Sequence, residues 1–162
     1  SDPLYEGLDA LHYLWPCLKS HEPVSLLVIM LGTNDTKERF GVNPFAISLG
    51  MRRLVQKAQT TDCWGPGGTP KILVIAPPAI GEGVLTSPVA DEMGTMGYSC
   101  VEKSRALPAH FRRVAEETGC HFLDANECGV TFNSVDFMHL TRQSHARLAE
   151  VLGELIPTLL AQ

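Results

Sequence analysis

A run of six apolar residues, 26–31, leads directly into the sequence Gly-Thr-Asn-Asp, and it constrains the fold more than any other segment. An apolar run without alternation is typical of a strand buried on both faces, which occurs mainly in parallel sheets covered by helices. We therefore predict a strand over residues 24–31. This strand places Gly32 and the side-chain amide of Asn34 at its carboxyl end, where open α/β sheets bind their ligands.

Strand and helix patterns alternate along the rest of the chain and predict a single α/β domain over residues 1–162. Two more strands are predicted at 71–76 and 120–125. Loops are predicted at 36–42 and at 79–97, the latter as a lid or wall of a substrate site. Helices are predicted at 4–21, broken or distorted at Pro16, from Asn43-Pro44 onwards, at about 99–118 with a kink at Pro108, and near 141–161 with Thr141 as its cap.

The composition excludes several classes of protein. Apolar residues make up 44% and charged residues 19% of the chain, which is typical of an ordinary globular domain. The net charge of −5 gives no electrostatic basis for binding nucleic acid or an anionic membrane surface. No apolar stretch reaches the roughly 18–20 residues of a membrane span, and the first residues lack the features of a signal peptide. We therefore expect no nucleic-acid or membrane partner and a cytoplasmic location.

The cysteines and histidines do not predict a metal site. The five cysteines are an odd number without Cys-x-x-Cys spacing, which favours reduced thiols. His12, Cys17 and His21 are spaced four to five residues apart, but Pro16 is expected to disrupt the helix that would align them.

The segment Asp-Phe-Met-His at 136–139 has the spacing of a carboxylate–imidazole pair. Residues three apart at the start of a helix lie on the same side, so Asp136 can hold the Nδ1–H of His139 and leave Nε2 free as a general base. Asn34 offers a neutral N–H donor to a developing oxyanion, and Gly32 lets the backbone approach a substrate. Each residue also has a structural interpretation: His139 as a hydrogen-bonded helix-start residue, and Asn34 as a turn residue in left-handed geometry.

These two motifs, in this order, resemble the third and fifth sequence blocks of the SGNH (GDSL-type) hydrolases. The segments GTNDTKERF, NPFAISLGMRRLV, KILVIAPP and DFMHLT look like the oligomeric arylesterase and acyltransferase branch of that family, and they extend the resemblance over nearly the whole chain. The resemblance implies a flavodoxin-like, three-layer α/β/α fold with parallel strands in the order 2-1-3-4-5. It also implies hydrolysis of short acyl esters, or acyl transfer to alcohols and peroxide, without a metal or organic cofactor. Asn34 matches the family's oxyanion-hole asparagine, Asp136 its triad acid and His139 its triad base.

The family's nucleophile has no counterpart in this sequence. Its Gly-Asp-Ser serine, the following helix and the second strand belong to a segment of roughly 50 residues that precedes the matching region. None of the serines here follows Gly-Asp, and Ser87 and Ser99 are the remaining candidates for a replacement. We therefore expect this chain to be the C-terminal three-quarters of the domain, without strands 1 and 2, and inactive alone.

The absence of strands 1 and 2 predicts an exposed apolar edge at strand 24–31, with none of the lysines, prolines or bulges that protect natural edges. We expect this chain to be the larger part of a nicked or incompletely represented enzyme, with the polar turn at residues 1–3 as the candidate cleavage point. The N-terminal segment of the same protein is the expected partner of this edge, and we expect a homo-oligomer. The expected substrate is a small ester. Trp15, Trp64, Phe40 and Phe45 are candidates for its pocket, with core or interface packing as the alternative. The alternative function is a non-catalytic flavodoxin-like scaffold or binding module.

Overall fold

The computed structural model describes residues 7–65, 67–87 and 96–161, which form a three-stranded parallel sheet and four α-helices. The strands are β1 (Leu27–Ile29), β2 (Ile72–Ala76) and β3 (His121–Asp124), and they lie in the order β1-β2-β3. The helices are α1 (Ala10–Ser20), α2 (Pro44–Thr60), α3 (Cys100–Thr118) and α4 (Arg142–Leu160). The predicted α/β class and the parallel sheet are confirmed.

The central strand β2 is buried along its whole length. Its register pairs Leu73 with Val28 on one side and with His121 on the other. The odd and even residues of β2 enter different cores. Ile72, Val74 and Ala76 join the cluster formed with α1, α2 and α3, whereas Leu73 and Ile75 join Leu159 of α4. Helices therefore cover both faces of the sheet, as a three-layer fold requires.

The strand predicted at 24–31 is shorter and more exposed than its sequence indicates. Only Leu27–Ile29 form β1, and Val28 and Met30 keep 38% and 40% of their surface exposed. The reason is that β1 pairs with β2 on one side, and no described residue pairs with its other edge. The prediction of burial on both faces was therefore wrong, whereas an exposed apolar edge is present.

Side-chain caps define the starts of two helices where the sequence predicts them. Asn43 Oδ1 accepts a hydrogen bond from the Ala46 N–H (2.8 Å), and Pro44 follows as the first residue of α2. Thr141 Oγ1 accepts from the Ser144 N–H (3.1 Å) at the start of α4. Both interactions satisfy a donor that the helix itself leaves unpaired.

The prolines inside α1 and α3 do not end these helices. Of the two outcomes predicted at Pro16, a break or a distortion, the break is wrong, because α1 is continuous from Ala10 to Ser20. Pro16 is exposed, so the carbonyl that loses its helical donor can bind water, and Leu14 and Leu18 anchor the helix in the core on either side. Residues 4–6 of the predicted helix lie outside the described residues. α3 likewise continues through Pro108.

No helix within the described part of the chain has both the length and the apolar character needed to cross a membrane.

We predict that the fold requires glycine at position 32, just after β1. Its φ of +128° is rarely adopted by L-residues, and an added Cβ would lie 3.0 Å from the Phe111 ring. We expect Gly32→Ala to lower the free energy of unfolding by about 1–3 kcal/mol. Gly153→Ala is the matched control, since Gly153 is a helical residue of α4 with open space around it. It should stabilise the protein by about 0.5–1 kcal/mol. Equal effects of the two substitutions in urea unfolding would contradict this prediction.

Candidate active site

The Asp136–His139 pair lies in the segment between β3 and α4 and is hydrogen bonded as its spacing predicts. His139 Nδ1 lies 2.8 Å from Asp136 Oδ2. The His139 side chain is 76% exposed, while the Asp136 side chain is only 19% exposed. An isolated antiparallel bridge between Phe132 and Leu140 closes the segment on both sides of the pair. The imidazole is thus held through one nitrogen and presented to solvent, an arrangement that suits a general base.

Asp136 is kept ionised by the backbone around it. Its Oδ1 accepts hydrogen bonds from the N–H groups of Met138 (3.0 Å) and His139 (2.9 Å). Burial by itself raises the pKa of this carboxyl. These two N–H groups and the His139 side chain outweigh that effect and lower the pKa from 3.8 to about 2. The carboxylate is therefore available to orient the imidazole over the whole physiological pH range.

Asn133 also holds this pair, and the sequence reasoning missed it. Its Nδ2 donates to Asp136 Oδ1 and to the His139 carbonyl oxygen, both at 3.0 Å. Its Oδ1 accepts from the N–H groups of Val135 (2.8 Å) and Asp136 (3.0 Å). The available signal was an asparagine three residues before an aspartate, since asparagine side chains commonly bond the backbone two or three residues on.

Gly32 and Asn34 lie at the carboxyl end of β1. Asn34 belongs to a short 3₁₀ helix, Thr33–Thr36, and its side chain is exposed. Among the described residues the one non-glycine with a positive φ is Phe137, so the left-handed interpretation of Asn34 is wrong. A cavity of about 570 Å³ lies beside this helix and includes Gly32, Asn34 and Asp35 in its wall. Burial raises the pKa of the Asp35 carboxyl.

Hydrogen bonds join the segments that follow β1, β2 and β3. The Glu38 N–H donates to the Met96 carbonyl oxygen (3.0 Å), and Glu38 Oε2 accepts from the Tyr98 N–H (2.8 Å). The Gly81 N–H donates to the Phe137 carbonyl oxygen (2.8 Å). The hydrogen bonds of the described residues include none between Asn34 and the Asp136–His139 pair. The two parts of the candidate site thus follow different strands at one edge of the sheet and are not hydrogen bonded to each other.

The predicted loop 79–97 contributes a short 3₁₀ helix, Glu82–Thr86, to this region. Residues 88–95 lie outside the described residues, and its interpretation as a lid stays a prediction. Ser87 Oγ donates to the Val135 carbonyl oxygen (3.2 Å). Ser99 lies at the start of α3 and makes no side-chain capping bond.

The aromatic candidates divide between the cavity, the core and the surface. Phe40 lines the cavity beside Asn34. Trp64 packs on the core and donates to the Ala58 carbonyl oxygen (3.1 Å), so it is a packing residue. Trp15 and Phe45 are both 53% exposed.

No described cluster of histidines, cysteines or carboxylates could hold a metal ion. His12 Nδ1 pairs with Asp9 (2.9 Å), and His21 Nδ1 contacts the Cys17 carbonyl oxygen (2.9 Å). These two side chains are thus engaged locally, although α1 is not broken at Pro16 as the sequence reasoning assumed.

Comparison with known proteins identifies the architecture. Several solved structures match over almost the whole chain. A carbohydrate acetylesterase from Sinorhizobium meliloti is 33% identical (TM-score 0.87), and the match covers 98% of this chain and 72% of that one. The native aryl esterase of M. smegmatis is 31% identical (TM-score 0.86), with 98% and 72% covered. A second S. meliloti structure, of a carbohydrate acetylesterase family member, is 26% identical (TM-score 0.86), with 100% and 74% covered.

A search of curated proteins found no match. A family description does match: that of the GDSL-like lipase/acylhydrolase family, over residues 6–148. This range includes both motifs, the three strands and the Asp136–His139 pair. The chain therefore belongs to the GDSL-like lipase/acylhydrolase family of esterase-like hydrolases.

Proposed function

We propose that this chain carries the acid, base and oxyanion-binding residues of a serine ester hydrolase whose nucleophile lies on a segment outside residues 1–162. The observation that carries the proposal is the 2.8 Å hydrogen bond from the His139 imidazole to the Asp136 carboxylate, whose other oxygen accepts from two backbone N–H groups and from the Asn133 side chain. An exposed imidazole fixed in this way serves proton transfer better than it serves packing, which favours catalysis over the scaffold alternative.

The reaction follows from the roles of these groups. The Nε2 of His139 takes the proton of the serine hydroxyl as its oxygen attacks the acyl carbonyl carbon. The Asn34 amide and the Gly32 N–H donate to the oxygen that becomes negative, while Asp136 stabilises the imidazolium. His139 then protonates the leaving alcohol, which gives an acyl-enzyme. Attack by water releases the acid, and attack by an alcohol gives acyl transfer, with His139 again removing the proton.

The proposed substrates are esters of short acyl groups, above all acetate. The support is the similarity to the carbohydrate acetylesterase and the aryl esterase over nearly the whole chain. The mechanism needs no metal or organic cofactor, because a neutral amide and backbone N–H groups stabilise the charge. Oligomer formation and a cytoplasmic location stay predictions.

The open edge of β1 supports the proposal that a further segment, which carries the nucleophile, binds beside it. Val28 and Met30 are partly exposed, and Ile29 faces the core on the other side of the strand. A parallel strand beside β1 would pair its free backbone groups, and a helix following that strand would cover Val28. The carboxyl end of such a strand would lie next to Gly32 and the cavity beside Asn34, which is where a nucleophile must stand to use the Asn34 amide.

The role of His139 predicts a large, selective effect on catalysis. In the enzyme reconstituted with its complementing segment, His139→Ala should lower kcat for p-nitrophenyl acetate by about a thousandfold or more, because it removes the general base. His145→Ala is the matched control, since His145 is an exposed histidine in the first turns of α4. It should leave kcat unchanged. A loss below about tenfold in His139→Ala would contradict the triad assignment.

The location of the nucleophile is testable with a fluorophosphonate probe and denaturing intact-mass spectrometry. We expect the adduct on a separate polypeptide of roughly 50 residues, with this chain unmodified. The His139→Ala variant should lose labelling, because the serine would no longer be activated. An adduct on this chain, at Ser87 for example, would contradict the proposal, and so would the absence of any adduct on a protein that hydrolyses p-nitrophenyl acetate.

The low pKa of Asp136 predicts how stability depends on pH. The pKa of this carboxyl is about 2 in the folded protein and 3.8 in the unfolded chain. The ionised carboxylate therefore stabilises the fold fully above pH 3.8. This contribution is lost as the pH falls through about 2. Asp136→Asn should therefore show a weaker loss of stability between pH 5 and 2 than the unsubstituted chain in urea unfolding. Parallel curves for the two proteins over this range would contradict the assignment.

A further inference from the structure

We propose that Phe137 is a positioning residue for the Asp136–His139 pair, and that its ring, seated on Gly83, fixes the pair against the segment that follows β2. The inference goes beyond the residues to which the proposed function assigns a chemical role. Its catalytic consequence rests on the proposed function, whereas its structural content does not.

The backbone conformation of Phe137 is not the one that its residue type prefers, which indicates that contacts with other segments determine it. Its φ is +58°, the left-handed region, which bulky L-residues avoid because Cβ crowds the following carbonyl oxygen. The residue lies between the carboxylate and the imidazole, so its dihedral angles decide whether the N–H groups of Met138 and His139 point at Asp136 Oδ1. A strained residue persists where surrounding contacts hold it in place.

The contacts that hold Phe137 come from two glycines of one short segment. A Cβ at Gly83 would lie 2.3 Å from the Phe137 ring, so the ring rests directly on the Gly83 backbone. The Gly81 N–H donates to the Phe137 carbonyl oxygen at 2.8 Å. The ring also packs against the buried cluster that contains Ile80 and Val84. The same short segment, residues 81–83, therefore holds both the ring and the carbonyl group of Phe137.

The segment that receives Phe137 is itself anchored. The Ile80 N–H donates to Ser104 Oγ (2.9 Å), and this buried hydroxyl donates in turn to the Val101 carbonyl oxygen (2.9 Å) in α3. The chain of contacts runs from α3 through residues 80–83 to Phe137 and then to the pair. The position of the imidazole is thereby tied to the core as well as to its own turn.

Two substitutions separate the ring from the backbone conformation. Phe137→Gly removes the ring and makes the left-handed conformation easier to adopt. Gly83→Ala keeps Phe137 and displaces its ring. Gly153→Ala is the matched control for the second, because a Cβ there meets no neighbour. Phe137→Leu, which keeps an apolar side chain, tests partial rescue.

The measurement is amide hydrogen exchange of this chain, followed by mass spectrometry of peptides covering residues 133–141. We expect exchange of the Met138 and His139 amides to become about tenfold faster in Phe137→Gly and Gly83→Ala. Phe137→Leu should be intermediate and Gly153→Ala unchanged. Unchanged exchange in Phe137→Gly, or acceleration spread equally over the whole chain, would overturn the positioning role.

Catalysis supplies the second readout. In the reconstituted enzyme, Phe137→Gly and Gly83→Ala should lower kcat for p-nitrophenyl acetate while KM stays within about twofold, since misplacing a base weakens the chemical step and leaves substrate binding intact. An unchanged kcat despite faster exchange would overturn the catalytic part of the inference. Because exchange is measured without substrate, failure of the proposed function and failure of the positioning role give different results.

Discussion

The parallel pairing of β2 on both of its edges is the constraint on which the rest of the structure depends. Both neighbouring strands run parallel to Ile72–Ala76, so the chain must cross back over the sheet between one strand and the next, and helices make these crossovers. That requirement sends the chain back over the sheet after each strand and gathers the segments that follow the strands at one edge. This topology brings Asn34, residues 80–83 and the Asp136–His139 pair to the same edge of the sheet, although up to about a hundred residues separate them along the chain.

How well the sequence predicts an element depends on whether local interactions determine it. The run 72–76 and the caps Asn43 and Thr141 were predicted closely, because hydrophobic burial and capping act within a few residues. The run 26–31 carries the same apolar signal, yet only Leu27–Ile29 form a strand, since strand length depends on a partner that a local pattern does not reveal. Pro16 shows the converse: anchoring of Leu14 and Leu18 in the core outweighs the local preference of proline against a helix.

The same distinction applies to the candidate site. Asp136 and His139 are three residues apart, and their hydrogen bond was predictable from that spacing. Asn133 was within reach of the same reasoning and was missed, because its contribution is a set of bonds to backbone rather than a reactive group. The contact of the Phe137 ring with Gly83 could not be predicted from the sequence. A glycine and a phenylalanine more than fifty positions apart give no signal of their contact, and the left-handed φ of Phe137 contradicts its local preference.

The two parts of the candidate site differ in how far the described residues complete them. The acid–base pair already has its hydrogen-bond partners. The Asp136 carboxylate accepts from backbone N–H groups, the His139 imidazole bonds the carboxylate, and Phe137 between them packs on a buried cluster. The region around Asn34 borders a cavity and an unpaired strand edge, so its surroundings depend on what binds there. Under the proposed function, binding a strand at β1 would add the nucleophile beside Asn34 without having to organise the base. Activity would then depend on the occupancy of this edge, and the orientation of His139 would not.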